Sequence, residues 1–180
     1  HFQGKKHITE TIGNLQFNIG PKSFFQTNPE QAINLYTQAK EMAQITGHQI
    51  VYDLYTGTGT IANFVADKAK FVLGIENVAE AIADAKKNAV LNGIKNTEFI
   101  SGAMEDVLND ELFGTYGPPD VVITDPPRTG MHPKVIAKLL EIRAKRIVYI
   151  SCNPATQARD LAMLSDAYDI DIIQPFDMFP

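Results

Sequence analysis

The chain has 180 residues, of which 44% are hydrophobic and 21% charged, and it carries a net charge of −5. This composition is typical of one globular domain with a full core, and it excludes collagen-like, fibrous and disordered chains. The acidic charge argues against a protein that wraps nucleic acid with a strongly basic surface, although a local basic patch is compatible with it.

The residue content also disfavours several locations and kinds of site. No run of about 18 apolar residues occurs, and no apolar segment follows residues 1–10, so we predict neither a membrane span nor a secretion signal. Cys152 is the only cysteine, which excludes an internal disulfide and a metal site built from several thiolates of this chain. We therefore expect a cytoplasmic protein without a metal, and the oligomeric state is left open.

The N-terminal residues form a unit of their own in this interpretation. Alternating apolar and polar residues at 7–12 and 15–19 flank a Gly-Asn pair, which predicts a β-hairpin. Prolines then interrupt the chain. We predict that 1–28 is a hairpin and linker from a preceding domain, and that 29–180 is the main domain.

Helices and strands alternate from position 29 onwards. Asn28 is suited to cap a first helix that begins at Pro29 and ends at Gly47. Further helices are predicted at 60–68, 79–92, 134–143 and 156–164, and strands at 50–55, 71–76, 97–100, 121–124, 146–150 and 170–173. This alternation predicts an α/β fold with a mostly parallel sheet that is covered on both faces and binds ligands beyond the carboxyl ends of its strands.

Two motifs at predicted strand ends indicate an adenosine-bearing cofactor. A glycine-rich turn at 53–60 follows the first parallel strand, and Glu76 ends the next one, at about the spacing of a ribose-binding acid. Glycines let the backbone approach a ligand closely, and a carboxylate at this place accepts hydrogen bonds from both ribose hydroxyls. The third glycine of the dinucleotide fingerprint is absent, so S-adenosylmethionine and a dinucleotide both stay open. The alternatives are a plain turn and a solvated strand end.

Two further motifs follow later strands. The Asp-Pro-Pro-Arg motif at 125–128 places a rigid carboxylate beside an arginine, which suits a polar planar ring and a nearby phosphate, whereas the alternative is a proline turn with a surface ion pair. Cys152 follows the fifth strand, although a lone cysteine is more often an inert core residue. Its position after the strand rather than within it argues against a core position, and a helix N-terminus and Arg128 would favour the thiolate form, so we predict a reactive cysteine at the active edge.

Four motifs together resemble those of the RNA uracil-5-methyltransferases, which act on 23S rRNA and tRNA. They are Phe-Phe-Gln-Thr-Asn at 24–28, Asp-Leu-Tyr-Thr-Gly at 53–57, Asp-Pro-Pro-Arg-Thr-Gly at 125–130, and the segment 147–156 that contains the cysteine. The resemblance runs from about Ile19 to Pro180 and covers only the C-terminal catalytic domain of that family. It implies a Rossmann-like S-adenosylmethionine-dependent methyltransferase fold that is truncated before its last antiparallel strand.

The resemblance also implies a chemistry and a set of site residues. Cys152 adds to C6 of a uridine flipped out of its RNA, C5 takes the methyl group, and a base removes the C5 proton. The residues that the resemblance assigns to the cofactor are Gln26, Tyr55, Gly57, Thr60, Glu76 and Asp125. It assigns Arg128, together with Asp125, to the RNA substrate.

The sequence departs from the family pattern in two ways, and three alternative functions stay open. The family's general base is a glutamate beyond the position of Pro180, so we expect the chain to be a fragment with little turnover. Ala103 lacks the acidic or amide group that many relatives place near the adenine. The alternatives are an amino-group methyltransferase, an NAD-dependent oxidoreductase, and a non-catalytic module that binds a cofactor or RNA.

Overall fold

The computed structural model of the chain describes residues 7–21 and 24–179. The predicted hairpin is confirmed, since strands β1 (Ile8–Ile12) and β2 (Leu15–Ile19) pair in antiparallel register. Parts of the predicted N-terminal unit, residues 1–6 and 22–23, lie outside the described residues. The domain boundary at position 28 stays a prediction.

A five-stranded parallel sheet forms the centre of the fold, as predicted. Its strands are β3 (Ile50–Leu54), β4 (Phe71–Glu76), β5 (Thr97–Ser101), β6 (Val121–Thr124) and β7 (Arg146–Tyr149). Their order across the sheet is β5-β4-β3-β6-β7, and every neighbouring pair is parallel. The chain moves outward from β3 to β5 and then crosses to β6. The switch point therefore lies between β3 and β6, which is where sheets of this kind bind ligands.

Helices pack around this sheet. They are α1 (Pro29–Ala43), α2 (Thr60–Val65), α3 (Ala79–Leu91), α4 (Met104–Val107), α5 (Asp110–Tyr116), α6 (Pro133–Ile142) and α7 (Pro154–Leu164), with a 3-10 turn at Ala66–Lys68. Asn28 caps α1 as predicted, because its side chain accepts a hydrogen bond from the N–H of Gln31. The predicted end of α1 at Gly47 is wrong. The helix ends at Ala43, since Gln44 already takes the left-handed conformation.

Two other parts of the fold depart from the predictions. Helices α4 and α5 have no predicted counterpart, because each is too short to show a repeating apolar face. The predicted strand at 170–173 is wrong, since none of the strand pairs found among the described residues includes it. Asp171 instead meets β7 through an ion pair with Arg146 at 3.3 Å. Apolar alternation favours a strand, but a strand also requires a neighbour that completes the backbone ladder.

Two apolar clusters pack on opposite faces of the sheet. Val51 of β3 joins the first cluster and its neighbour Tyr52 joins the second, as expected for side chains that alternate along a strand. The first cluster also contains Ile12 and Phe17 of the hairpin together with Tyr36 of α1. The hairpin therefore packs on the same core as α1 and the central sheet.

Candidate functional site

The glycine-rich turn connects β3 to α2 at the switch point of the sheet. Gly57 and Gly59 adopt positive φ angles of 55° and 76°, which a residue without a Cβ takes at little cost. A Cβ added to Gly59 would lie 2.8 Å from the Phe99 ring, so close packing also requires this glycine. Tyr55 has a φ of 62° although it is not a glycine. Such backbone strain is concentrated at functional sites in proteins.

Asp53 is a buried carboxyl within the turn motif, and the sequence analysis assigns it no role. Its side chain is completely buried, and its Oδ2 accepts hydrogen bonds from the Thr56 hydroxyl at 2.5 Å and the Ala62 N–H at 3.0 Å. These contacts tie both the turn and the first turn of α2 to β3. Burial raises the pKa of Asp53 to about 7, against the opposing effect of the two hydrogen bonds. The presence of an acidic residue within an otherwise apolar strand is the feature of the sequence that could have identified this buried carboxyl.

Replacing Asp53 with asparagine is expected to change how stability depends on pH. A carboxyl whose pKa rises from 3.8 to about 7 on folding contributes stability below about pH 4 and loses it as the pH approaches 7. The loss is on the order of a few kcal/mol, since each pKa unit corresponds to about 1.4 kcal/mol. Urea unfolding at pH 5 and pH 8 should therefore show the wild type losing stability relative to Asp53→Asn. An equal difference between the two proteins at both pH values would contradict the raised pKa.

Glu76 lies at the carboxyl end of β4, next to the glycine-rich turn. Its Oε2 accepts a hydrogen bond from the Gly57 N–H at 3.2 Å. Its Oε1 accepts from the N–H groups of Asn77 at 2.8 Å and Val78 at 3.0 Å, just before α3 begins. The two motifs that are 19 positions apart in the sequence are therefore in contact at the switch point.

A small cavity of about 50 Å³ opens beside the turn. It is lined by Phe24, Phe25, Gln26, Tyr36, Tyr55, Thr56, Gly57, Thr58, Thr60, Ile61 and Asp125. Five of the six residues predicted to bind the cofactor lie on this cavity, and Glu76, the sixth, reaches it through its bond to Gly57. Burial raises the pKa of Asp125 to about 6. The cavity therefore brings together the linker, the turn and the carboxyl end of β6.

Tyr36 is a cavity residue that the sequence analysis does not identify. It belongs to the buried face of α1, and the helical spacing that predicts this burial carries no sign that the ring reaches the cavity. Burial, followed by the charges of Asp125 and Asp53, raises the pKa of the Tyr36 phenol. A neutral phenol therefore lines the cavity at physiological pH.

Cys152 is exposed beyond the carboxyl end of β7, the strand next to β6. Asp125 directly follows β6. Because parallel strands place their carboxyl ends at one edge of a sheet, Cys152, Asp125 and the glycine-rich turn all lie at the same edge. The exposed position agrees with the prediction that Cys152 lies at this edge, and it excludes the alternative of an inert core cysteine.

The loops that carry Arg128 and Cys152 are bonded to each other. The backbone carbonyl of Arg128 accepts hydrogen bonds from Asn153 Nδ2 at 3.0 Å and from the Thr156 hydroxyl at 3.1 Å. Asn153 also caps α7, since its Oδ1 accepts from the Ala155 N–H at 3.1 Å. The Asp-Pro-Pro-Arg motif and the cysteine, 24 or more positions apart in the chain, therefore form one continuous edge.

Asp160 is a second buried carboxyl that the sequence analysis does not identify. It is completely buried in α7, and its Oδ2 accepts hydrogen bonds from the Met131 N–H and the Tyr149 hydroxyl, both at 2.7 Å. Its Oδ1 pairs with Arg159 at 2.5 Å, and that guanidinium also donates to the Thr129 carbonyl at 2.9 Å. The carboxylate therefore binds the loop after β6 to the end of β7. In the sequence, Arg159 and Asp160 are adjacent charged residues of a predicted helix, and this pattern does not indicate that Asp160 binds residues far away in the chain.

Two negative findings hold for the part of the chain that the structure describes. None of its helices combines the length and the apolar character needed to cross a bilayer. It also contains no cluster of three or more histidine, cysteine or acidic side chains arranged to hold a metal ion.

Comparisons with known proteins find matches over nearly the whole chain. The family model described as tRNA (uracil-5-)-methyltransferase matches residues 8–180. An uncharacterized RNA methyltransferase of Bacteroides thetaiotaomicron is 58% identical over 179 residues, which are 99% of this chain and 39% of that protein. A protein of Porphyromonas gingivalis with the same description is 56% identical over 99% of this chain and 39% of its own length. The chain thus spans about two fifths of these curated relatives.

A solved structure is similar over the whole chain. The tRNA (uracil-54, C5)-methyltransferase of Pyrococcus abyssi, in complex with S-adenosyl-L-homocysteine, superposes with a TM-score of 0.86 at 38% sequence identity. The match covers 100% of this chain and 43% of that one. These matches confirm the resemblance and the methyltransferase fold that the sequence predicts. The chain belongs to the tRNA (uracil-5-)-methyltransferase family.

Proposed function

We propose that this chain is the catalytic domain of an enzyme that uses S-adenosylmethionine to methylate C5 of a uridine in RNA, with Cys152 as the nucleophile. One observation carries the proposal. The exposed Cys152 and the cavity residue Asp125 follow neighbouring parallel strands, and hydrogen bonds to the Arg128 carbonyl join their loops. The resemblance to the Pyrococcus abyssi enzyme, whose substrate is a uracil of tRNA, supports the same chemistry.

The chemistry requires a nucleophile because C5 of uracil is too weakly nucleophilic to take a methyl group directly. The Cys152 thiolate forms a bond to C6, and the electron pair of the C5–C6 double bond moves toward C5 and the ring carbonyl. C5 then forms a bond to the methyl carbon of S-adenosylmethionine while the bond from that carbon to the sulfonium sulfur breaks, which leaves S-adenosylhomocysteine. Loss of the C5 proton to a base returns the electron pair to the ring, and the bond between C6 and Cys152 breaks. The Cys152 thiolate is regenerated, the base holds the C5 proton, and the ring differs from uracil only by its methyl group.

The residues that line the cavity are chemically suited to an adenosine cofactor. We propose that Gln26, Tyr55, Gly57, Thr60 and Asp125 hold the cofactor, because they lie on one cavity at the switch point. Glu76 is proposed to bind the ribose, because its carboxylate stands at the end of β4 beside Gly57. S-adenosylmethionine bound there supplies an electrophilic methyl group. Asp125 keeps part of its protonated population near neutral pH, so its carboxyl can donate as well as accept.

The RNA contacts are proposed for the rim of the cleft. Arg128 is exposed on the loop beside Cys152, where a guanidinium can bind an RNA phosphate. The target uridine must leave its stack to reach the cysteine. Removal of the C5 proton needs a base, and the resemblance places a glutamate after the segment around Met178. The Met178 carbonyl accepts a hydrogen bond from Asn28 Nδ2 at 3.1 Å, which supports a base on the linker side of the cleft.

Replacing Glu76 with alanine is expected to weaken binding of S-adenosylhomocysteine by about tenfold, because the ribose would lose a charged acceptor. Calorimetry measures this change, and Glu111→Ala, an exposed acid on α5, serves as the control with unchanged affinity. Titration with NADH tests the alternative of an NAD-dependent oxidoreductase. Binding of NADH in place of S-adenosylhomocysteine would favour an oxidoreductase and would refute the methyltransferase proposal.

Mapping of methylated uridines tests the substrate. RNA from cells that lack the gene should lose 5-methyluridine at one position of a tRNA or of 23S rRNA, and the gene should restore it. Mass spectrometry of RNase fragments identifies that position. If every 5-methyluridine of both RNAs remains in the deleted strain, the proposed reaction is wrong.

The cytoplasmic location predicted from composition stays a prediction.

A further inference from the structure

Helix α3 binds strand β2 of the hairpin through a row of polar side chains. Asn88 of α3 and Asn92, the residue that caps the C-terminal end of the helix, lie four residues apart, so their side chains are separated by about 6 Å along one face of the helix. Alternate residues of β2 are separated by nearly the same distance, about 6.8 Å. This match lets the side chains of α3 meet the backbone of β2 in the way a neighbouring strand would.

The hydrogen bonds follow this register. The amide of Asn88 accepts from the Asn18 N–H at 2.8 Å and donates to the Asn18 carbonyl at 3.2 Å. The amide of Asn92 repeats the pattern on Gln16, accepting from its N–H at 2.9 Å and donating to its carbonyl at 2.7 Å. Both asparagines therefore hold the hairpin with the same pair of hydrogen bonds.

The two asparagines differ in the partner of their remaining N–H. In Asn92 this N–H returns to the Asn88 carbonyl of its own helix at 2.8 Å. In Asn88 it donates to the carbonyl of Thr58, in the middle of the glycine-rich turn, at 3.2 Å. Asn88 is completely buried, and each polar atom of its amide has a partner.

The Thr58 carbonyl is held at a sensitive point of the turn. Thr58 lies between the positive-φ residues Gly57 and Gly59, and it is 1% exposed. The next N–H, that of Gly59, donates to the Thr56 carbonyl at 2.9 Å. The peptide between Thr58 and Gly59 is thus fixed at both ends. Without Asn88 its carbonyl would be buried without this partner, in a turn whose glycines permit other conformations.

We propose that Asn88 is a positioning residue for cofactor binding, which fixes the glycine-rich turn and makes the β1-β2 hairpin part of its support. The inference rests on the proposed function, in that the ligand of this turn is taken to be S-adenosylmethionine. Asn88 itself does not line the cavity and acts through Thr58, which does.

The pair Asn88→Ala and Asn92→Ala tests the proposal in the full chain. Each variant removes an equivalent pair of hydrogen bonds to the backbone of β2, at Asn18 for Asn88→Ala and at Gln16 for Asn92→Ala. Both variants should therefore lower the melting temperature. Asn88→Ala should in addition raise the Kd for S-adenosylhomocysteine about tenfold, whereas Asn92→Ala should change it less than about twofold. Calorimetry gives the Kd. In steady-state assays of the full-length protein, Asn88→Ala should raise the KM for S-adenosylmethionine more than it lowers kcat.

Each result decides the question. A Kd for Asn88→Ala within twofold of the wild type, or an equal rise in both variants, overturns the inference and leaves the proposed function intact. A wild type that binds no S-adenosylhomocysteine overturns both. If Asn88→Ala does not fold, the comparison moves to Asn88→Ser and Asn92→Ser, which retain one hydroxyl donor each and are judged by the same ratio of Kd values.

Discussion

In the full-length protein, replacing Cys152 with alanine is expected to lower the rate of methyl transfer to RNA by about 10⁴-fold or more. The reason is chemical, because without a bond at C6 the ring has no means of making C5 nucleophilic. Cys152 lies outside the cavity that holds the proposed cofactor residues, so the variant should bind S-adenosylhomocysteine with wild-type affinity. Transfer of a labelled methyl group to RNA measures the first effect, and calorimetry the second.

RNA that contains 5-fluorouridine provides the matched control for this prediction. The fluorine at C5 cannot be removed as a proton, so the bond between the Cys152 sulfur and C6 should persist in the wild type and survive denaturing electrophoresis. Cys152→Ala should form no such adduct. Cys152→Ser, which keeps the size of the side chain, should be nearly as inactive because a hydroxyl is a weaker nucleophile than a thiolate. Substantial methyl transfer by either variant would refute the nucleophile assignment.

The chain order of the elements could be predicted because each relies on local patterns. Apolar runs mark the five central strands, and Asn28 marks the start of α1 through the side chain that caps it. Parallel pairing then follows from the intervening helices, and the parallel pairing places Asp125 and Cys152 at one edge. Topology therefore locates the edge of the sheet at which the site lies, whereas the assignment of Gln26, Tyr55 and Thr60 to the cofactor comes from the resemblance to a family.

The remaining features depend on contacts between residues distant in the chain. Asn88 forms a hydrogen bond with Thr58, 30 positions away in the chain, and Asp160 forms one with Met131, 29 positions away. The residues next to Asn88 and Asp160 in the sequence do not indicate these partners. Asn88 resembles any polar residue of an amphipathic helix until the hairpin is packed against it. The strand at 170–173 fails for a related reason, since its alternation is local but its pairing is not.

Replacing Asp160 with alanine is expected to impair both stability and catalysis, although Asp160 does not line the cavity. The variant leaves the Met131 N–H, the Tyr149 hydroxyl and the Arg159 guanidinium without their common acceptor. Loss of one partner from such a buried charged network costs about 3 kcal/mol of unfolding free energy. Urea unfolding measures this loss, with Tyr149→Phe as a control that removes a single hydrogen bond and should cost about 1 kcal/mol.

The effect of Asp160→Ala on catalysis follows from the loop that this carboxylate holds. The loop after β6 carries the Arg128 carbonyl. This carbonyl accepts hydrogen bonds from Asn153, the N-cap residue of α7, and from Thr156 in the first turn of α7. A shift of about 1 Å in a reacting group can lower a rate by about 10²-fold, so kcat should fall by about that factor. The KM for S-adenosylmethionine should stay near the wild-type value, because Asp160 does not line the cavity. A variant that loses stability but keeps its kcat at low temperature would show that Asp160 supports the fold alone, and that the cysteine loop is held by Asn153 and Thr156 without it.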